Sequence, residues 1–315
     1  MCRFQRNRWA LAAPAFPYGG SAMPQCCNGC MAASDPFPRP PLDAAALNAA
    51  LIRPGGMWER IEVVPEAGST NTELAARGRE GAPHGSVLVA EHQSAGRGRM
   101  GRGFITPPRA ALTVSLLLRP AVEPARLGWL SALMGVAAVG AVRRTTGIEA
   151  ALKWPNDLLV PAGLRADPAA GDGKLAGILA EVDFSSGEAA VVVGIGLNVS
   201  QTPDELPVDS AASLRGEGAA DVDRGVLLAS LLGEFEELYT MWTAAGGDAE
   251  RSGLAAVYRD VCTTLGRRVR VHLPDDRTLE GVVTGIDAEG RLVVDGPEGE
   301  RALSVGDVVY VRPAR

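Results

Sequence analysis

The sequence predicts an α+β fold, a mixed strand-and-helix core followed by a small β-barrel. Three observations predict it. From Ile61 onward, strand and helix patterns alternate without a long repeat. After Leu265 the pattern changes to short alternating strands separated by turn signals. Hydrophobic residues make up 46% of the 315, against 22% charged, which is enough for a buried core.

Residues 1–41 are proline-rich and carry no sustained hydrophobic period, so a disordered tail is expected there. Folded structure is expected from Leu42, with Asp43 capping a short helix to Leu51. Strands follow at Ile61–Val64, Ser86–Glu91 and Leu112–Leu118. Thr70 and Glu73 have capping-box spacing for a helix to Arg77. Arg126–Thr145 reads as a long helix with a small-residue face. Ala151–Trp154 and Leu158–Val160 flank a Pro-Asn-Asp turn. The polar stretch Pro161–Gly173 reads as a mobile surface loop. A hairpin of Lys174–Val182 and Ala189–Val199 turns at Ser185–Gly187. Helices are expected at Val226–Thr243 and Glu250–Val261. Five short strands then fit the barrel: Val269–Leu273, Thr278–Ile286, Leu292–Val294, Arg301–Val305 and Val308–Val311. Turn signals part them at Pro274–Asp276, Ala288–Gly290 and Gly296–Gly299. The expected division is a tail at 1–41, a catalytic domain at 42–263 and a small domain at 264–315.

A net charge of −6 argues against a whole-molecule nucleic-acid interface. No apolar run is read as long enough to span a bilayer, so no membrane partner is expected. Arg3, Arg6 and Arg8 precede the apolar stretch Trp9 to Phe16, but Pro14 interrupts it, and export is not expected. Four of the five cysteines, Cys2, Cys26, Cys27 and Cys30, lie in the tail, and Cys262 stands alone. That leaves the body without a disulfide framework, as in a reduced cytoplasm, and no metal site is read from the scattered His84, His92 and His272.

Gly96 to Gly103 alternates glycine with arginine between two strands. No acidic residue falls between Glu91 and Glu123, an interval that holds Arg97, Arg99, Arg102, Arg109 and Arg119. Glycines let backbone N–H groups approach an anion, and guanidinium forks bind phosphate or carboxylate. The alternatives are a solvated basic loop or an RGG-like nucleic-acid segment, though no aromatic interleaves the arginines until Phe104. Lys153-Trp154-Pro155-Asn156-Asp157 could hold ribose, phosphate or Mg²⁺, or be a side-chain-stabilised turn. Lys174 opens an apolar strand, either exposed or at the edge of a cleft. The glycines of Val193-Gly194-Ile195-Gly196-Leu197-Asn198 mark close backbone approach, not a dinucleotide fingerprint. Gly68-Ser69-Thr70-Asn71 reads as a helix cap or as a seat for a small polar head. Gln93 adds a two-sided hydrogen-bonding group.

In this order the segments resemble the biotin–protein ligase family: GSTN at 68–71, EHQSAGRGRMGR at 91–102, KWPND at 153–157, KLAGILAEV at 174–182 and GIGLN at 194–198. The resemblance covers about residues 58–313. It implies a mixed-sheet core related to class II tRNA synthetases and an SH3-like C-terminal domain. It also implies ATP and biotin as substrates, Mg²⁺, and a biotin carboxyl carrier domain of a carboxylase as partner. By the same resemblance, Ser69, Thr70, Asn71, Gln93, Arg97, Gly98, Arg99 and Lys174 would bind biotin. Arg97, Arg99, Arg102, Asn156, Lys174 and Asn198 would hold ATP, with Lys174 and Arg97 catalytic. The Gly/Arg loop would be a lid, mobile when empty and ordered over the adenylate. Two features depart from the family pattern: Phe104 stands where many members carry tryptophan, and the Pro161–Gly173 insertion is long. Residues 1–57 offer too little for a DNA-binding helix-turn-helix domain. A cytoplasmic ligase without repressor function is therefore expected, the alternatives being a lipoate–protein ligase or a biotin-responsive repressor.

Overall fold

A computed structural model describes residues 39–311, apart from 186, 220 and 274–276. Residues 1–38 of the expected tail and the turn at 274–276 lie outside the described residues.

The larger sheet has seven strands. In chain order they are β1 (Arg60–Val64), β2 (Ser86–Ala90), β3 (Ala111–Leu118), β4 (Ala151–Lys153), β5 (Asp157–Val160), β6 (Gly173–Asp183) and β7 (Ala190–Asn198). Their spatial order is β1-β2-β3-β7-β6-β5-β4. Only β1 and β2 pair in parallel; every other neighbour is antiparallel, so the sheet is mixed. Every residue of β3 is buried, because both faces of this central strand are covered, which is why its sequence does not alternate. Leu112, Val114, Leu116 and Leu118 join the main core. Leu117 packs on the other face with Leu74 and Val192.

The main core is closed by α1 (Ala44–Leu51), α3 (Trp129–Thr146), α4 (Arg224–Ala244) and α5 (Leu254–Val261), while α2 (Thr70–Arg79) covers the opposite face. The small-residue face of α3 has a packing cause. A Cβ on Gly135 would lie 2.9 Å from the Leu152 side chain, and one on Gly140 3.2 Å from that of Glu234. Helix α3 ends at Gly147, in the left-handed conformation that relieves the last turn. Contrary to the sequence reading, the segment Pro124–Thr146 is long and apolar enough to cross a membrane by length and composition. Its apolar residues from Trp129 to Val142 are buried in the core, apart from the half-buried Ala132 packed against it.

Ordered contacts begin ahead of Leu42, inside the expected tail. Arg39 forks onto Glu205 at 3.1 and 2.5 Å and donates to Ser200. Arg224 donates to the Pro40 carbonyl and pairs with the buried Glu91. The insertion expected as a mobile loop is also tied down. It forms two short 3₁₀ turns, Ala162–Leu164 and Pro168–Ala170. Arg165 beside them pairs with Glu217 at 2.8 Å, both side chains buried.

The small domain is a five-stranded antiparallel sheet of β8 (Arg268–His272), β9 (Thr278–Ile286), β10 (Leu292–Gly296), β11 (Gly299–Leu303) and β12 (Asp307–Tyr310). Its order is β11-β10-β9-β8-β12. All five expected strands are present; among the described residues the ladder stays open, with β11 and β12 at its edges. Trp154, from the KWPND turn of the larger domain, is part of this domain's apolar core. Trp129 Nε1–H and Arg126 both donate to the Ala288 carbonyl at the β9–β10 turn. The small domain is therefore seated against α3 and the KWPND turn.

Candidate active site

One cavity of about 610 Å³ lies over β6 and β7 and is lined by every site residue expected from the sequence. Ser69, Thr70, Asn71 and Gln93 line it together with Arg97, Gly98, Arg99 and Arg102, and Asn156, Lys174 and Asn198 complete the set.

The start of α2 forms one end. Its N-cap is Ser69, one residue earlier than the expected capping box, and the Ser69 hydroxyl makes no capping bond. Glu73 instead reaches back to the Gly68 N–H at 2.7 Å. Thr70 is thereby turned inward, and its N–H and hydroxyl meet Gln93 Oε1 at 2.8 and 3.1 Å. Asn71 donates to the Leu179 carbonyl and to Glu181, and its Oδ1 accepts from the Ser115 hydroxyl at 2.7 Å. Ser69, Thr70, Asn71 and Gln93 are all buried. Buried polar groups packed this closely hold a fixed hydrogen-bonding pattern, as recognition of a small polar head needs.

Bare backbone on β7 makes this packing possible. A Cβ on Gly194 would fall 2.0 Å from Asn71 Oδ1, and one on Gly196 2.5 Å from the Phe104 ring. The glycines of GIGLN are thus sites of close approach, and Phe104 is seated against Gly196 in the cavity wall.

The Gly/Arg loop forms a small hairpin along one side. Phe104 N–H donates to Gly96 O at 2.9 Å and Gly98 N–H to Arg102 O at 2.6 Å. The tip turns at Met100 and Gly101, both at positive φ, where glycine carries no steric cost. Arg97 pairs with Glu181 at 3.5 Å. Arg102 pairs with Asp307 of the small domain. The loop, expected to be mobile when empty, thus carries two ionic contacts. Arg99 makes no ion pair among the described residues. Burial lowers its pKa, with Asp157 opposing and Arg102 adding to the shift.

The KWPND turn forms the facing side. Lys174 Nζ lies 2.5 Å from Asp157 Oδ1, so the strand-opening lysine stands at the cleft. Burial lowers the pKa of Lys153, opposed by Asp157 and assisted by Lys174. The Trp154–Pro155 bond is cis. Asn156 is tied to β6 through its Nδ2, 2.9 Å from the Ile178 carbonyl. Asn198 donates to Ala212 O and accepts from Gln201. The amides of both asparagines therefore fix local chain geometry at the cavity wall.

The reading of the sequence did not name Ser115, Glu181 or Asp307. Ser115 had a signal, a hydroxyl within an apolar strand. Glu181 sits where an apolar strand leaves the core. Asp307 had none, because only the tertiary fold brings it to the loop. The site is a pocket for a small polar head at one end and a cluster of cations at the other, suited to an anionic ligand.

Residues 65–198 match the Biotin/lipoate A/B protein ligase family, and residues 264–310 the Biotin protein ligase C terminal domain. The chain is 42% identical to a biotin–[acetyl-CoA-carboxylase] ligase of Mycobacterium tuberculosis, over 87% of this chain and 97% of that protein. It is 30% identical to the bifunctional ligase/repressor BirA of Bacillus subtilis, over 78% of this chain and 72% of that protein. The biotin protein ligase of Aquifex aeolicus, solved in complex with biotin and ATP, superposes with a TM-score of 0.66. It is 25% identical and covers 81% of this chain and 100% of its own. With the fold, the motifs and this identity in agreement, the chain belongs to the biotin–protein ligase family.

Proposed function

We propose that this enzyme activates biotin with ATP to biotinyl-5'-AMP and transfers the biotin to a lysine of a biotin carboxyl carrier domain. The observation that carries the reading is the single cavity joining the Ser69–Asn71 and Gln93 pocket to the cations Arg97, Arg99, Arg102, Lys153 and Lys174.

Ser69, Thr70, Asn71 and Gln93 would hold the biotin head, and the carboxylate would extend toward Lys174 and Arg97. A carboxylate oxygen attacks the α-phosphorus of ATP, the bond to the β-phosphate oxygen breaks, and pyrophosphate leaves. Two anions must meet, so Arg97, Arg99 and Lys174 offset their repulsion and stabilise charge on the phosphoryl oxygens. The carrier lysine, as a neutral amine, then attacks the activated carbonyl carbon. The bond to the phosphate oxygen breaks, AMP departs, and the amine loses its proton to solvent.

Among the described residues no group of three or more His, Cys, Asp or Glu could cage a metal ion. Mg²⁺ commonly binds through substrate phosphates and one or two carboxylates. Asp157 and Asp307 are the carboxylates lining the cavity. Of the two, Asp307 is engaged by Arg102, and Asp157, beside Lys174, fits a Mg²⁺ ion brought by the nucleotide, which would neutralise phosphate charge. The match at residues 264–310 to a biotin-ligase domain favours biotin over lipoate.

The test is pyrophosphate exchange with biotin and, separately, with lipoate, followed by the mass of a carrier domain incubated with biotin, ATP and Mg²⁺. Biotin-dependent exchange and a carrier gaining one biotin are expected. Exchange with lipoate alone would overturn the reading.

A further inference from the structure

The Gly/Arg hairpin is clasped on both sides. Arg97 bridges Gly103 across it, and the two charged side chains are held by different elements. Glu181 on β6 holds Arg97, and Asp307 at the start of β12 holds Arg102. The turn before β12 also lies against the loop: Val305 and Gly306 line a cleft of about 290 Å³ with Arg97 to Gly101. The small domain is itself fixed to the larger one through Trp154, Trp129 and Arg126. A loop tied to Asp307 is therefore tied to a rigid support, not to a second mobile segment.

Arg102 and Asp307 both line the main cavity. A polyphosphate entering there brings more negative charge than one carboxylate and offers a guanidinium a bidentate partner. The pair is partly open to water, with 61% of the Arg102 and 39% of the Asp307 side chain exposed, so solvent weakens it and an arriving anion can displace it.

We propose that Asp307 is a positioning residue. It parks Arg102 at the cavity mouth when no nucleotide is present, and nucleotide phosphate then takes the guanidinium over. The small domain thereby sets the resting position of the loop. The nucleotide's role rests on the ligase reading above; the resting clasp does not.

Asp307→Asn removes the charge and keeps the shape. Backbone hydrogen exchange at residues 97–103 of the ligand-free full chain should quicken severalfold, with strands β8 to β10 unchanged. In pyrophosphate formation, loss of the competing carboxylate should lower KM for ATP about two- to fivefold, the scale of an exposed ion pair, with kcat nearly constant. Release of adenylate should stay near the wild-type rate, because Arg102 has left Asp307 once phosphate is bound. Tighter nucleotide use with a looser empty loop and unchanged retention is a split that mere structural damage would not produce. Asp307→Glu should restore both the exchange and the KM. Arg102→Gln approaches the clasp from the other end and should quicken the same exchange without touching the small-domain sheet. Unchanged exchange at 97–103 in both Asp307→Asn and Arg102→Gln would overturn the proposal. So would a higher KM together with quickened exchange across 268–296, which would mark Asp307 as structural. The exchange experiment uses no substrate, and biotin-dependent pyrophosphate exchange by the wild type tests the ligase reading alone, so the two readings fail separately.

Discussion

The amide of Asn71 occupies the space that a side chain on Gly194 would fill: a Cβ there would stand 2.0 Å from Asn71 Oδ1. Position 194 on β7 lies opposite Ser115 on β3, whose hydroxyl donates to that same Oδ1. Gly194→Ala must therefore push Asn71 from its place and strand buried hydrogen bonds. The expected cost is about 1–3 kcal/mol of stability. KM for biotin should rise on the order of tenfold or more, since misplaced groups in a packed polar pocket bind poorly. Thermal melting and pyrophosphate exchange at varied biotin concentration check this. A variant with normal KM for biotin would remove Asn71 from the biotin pocket.

Lys174 and Asp157 form the ion pair at the cleft. Lys174→Gln should remain folded, because the side chain is not part of the core. If Lys174 faces the developing phosphoryl charge as proposed, its loss should slow pyrophosphate formation on the order of 100-fold or more, with less effect on nucleotide binding. Single-turnover kinetics and equilibrium binding of ATP separate the two. Near-normal pyrophosphate formation would contradict the role given to Lys174.

Local pattern made most elements readable. The apolar β3, the alternating β8 and the Asp43-capped α1 all follow from spacing and caps. The candidate site was legible because its residues cluster in short motifs. What escaped was long-range. Arg39 lies in a proline-rich run, and Ser200 and Glu205, far along the chain, explain its order. Arg165 and Glu217 immobilise a segment whose composition suggests a free loop. Trp154 sits inside a ligand motif yet packs in the small domain's core. Charge pairing between distant positions leaves no period in the sequence, so it was invisible until the fold brought the partners together.

Arg39 gives a test at the start of the described chain. Its fork onto Glu205 and its bonds to Ser200 should contribute about 1–2 kcal/mol, as charge-assisted bonds at a partly buried site do. Arg39→Ala should lower thermal stability by that amount. The Arg39 hydrogen bond is the largest cause holding the Glu205 pKa below its usual value. A depressed carboxylate stabilises the fold above its unfolded pKa and loses that contribution as pH falls through the folded value. The stability gap between wild type and variant should therefore shrink below about pH 4.5, the usual Glu value. Removal of residues 1–38, which leaves Arg39 in place, should leave biotinylation intact, whereas removal of 1–41 should destabilise the protein.

His84 sets a second pH dependence, of opposite chemistry. Its Nδ1 accepts the Arg119 N–H at 3.1 Å and its ring stacks on Tyr239. Burial lowers its pKa, Arg119 adds to the shift and Glu59 opposes it. The folded state thus resists protonation more than the unfolded chain. Stability from the neutral ring is fully present above about pH 6.5, the ordinary value, and is lost as pH falls toward the folded pKa. His84→Gln keeps an acceptor but does not titrate. The melting temperature of the wild type relative to this variant should fall between pH 7.5 and 5.5. A constant difference over that range would mean His84 does not couple to folding.

Arg99 separates making the adenylate from keeping it. It opens the short turn Arg99–Gly101 at the tip of the loop and lines the cavity. Unlike Arg97 and Arg102, it makes no ion pair among the described residues, so no carboxylate must be displaced before it meets an anion. Its fork is therefore the cation of the loop most free to hold the loop closed on a bound intermediate. Arg99→Gly removes the fork and loosens the backbone next to Met100 and Gly101, so open states gain population. Activation should survive in part, because in the proposed mechanism Lys174 and Arg97 would still face the phosphate. Retention should suffer more, because each opening lets the anhydride escape or meet water. The adenylate release rate should rise far more than the initial rate of pyrophosphate formation falls, and exposed lysines on an added bystander protein should become biotinylated. The paired measurement is the burst of pyrophosphate and the label on the bystander. A variant that activates biotin yet neither leaks adenylate nor labels the bystander would show that Arg99 plays no part in retention, and the closure of the loop would then have to rest on Arg97 and Arg102 alone.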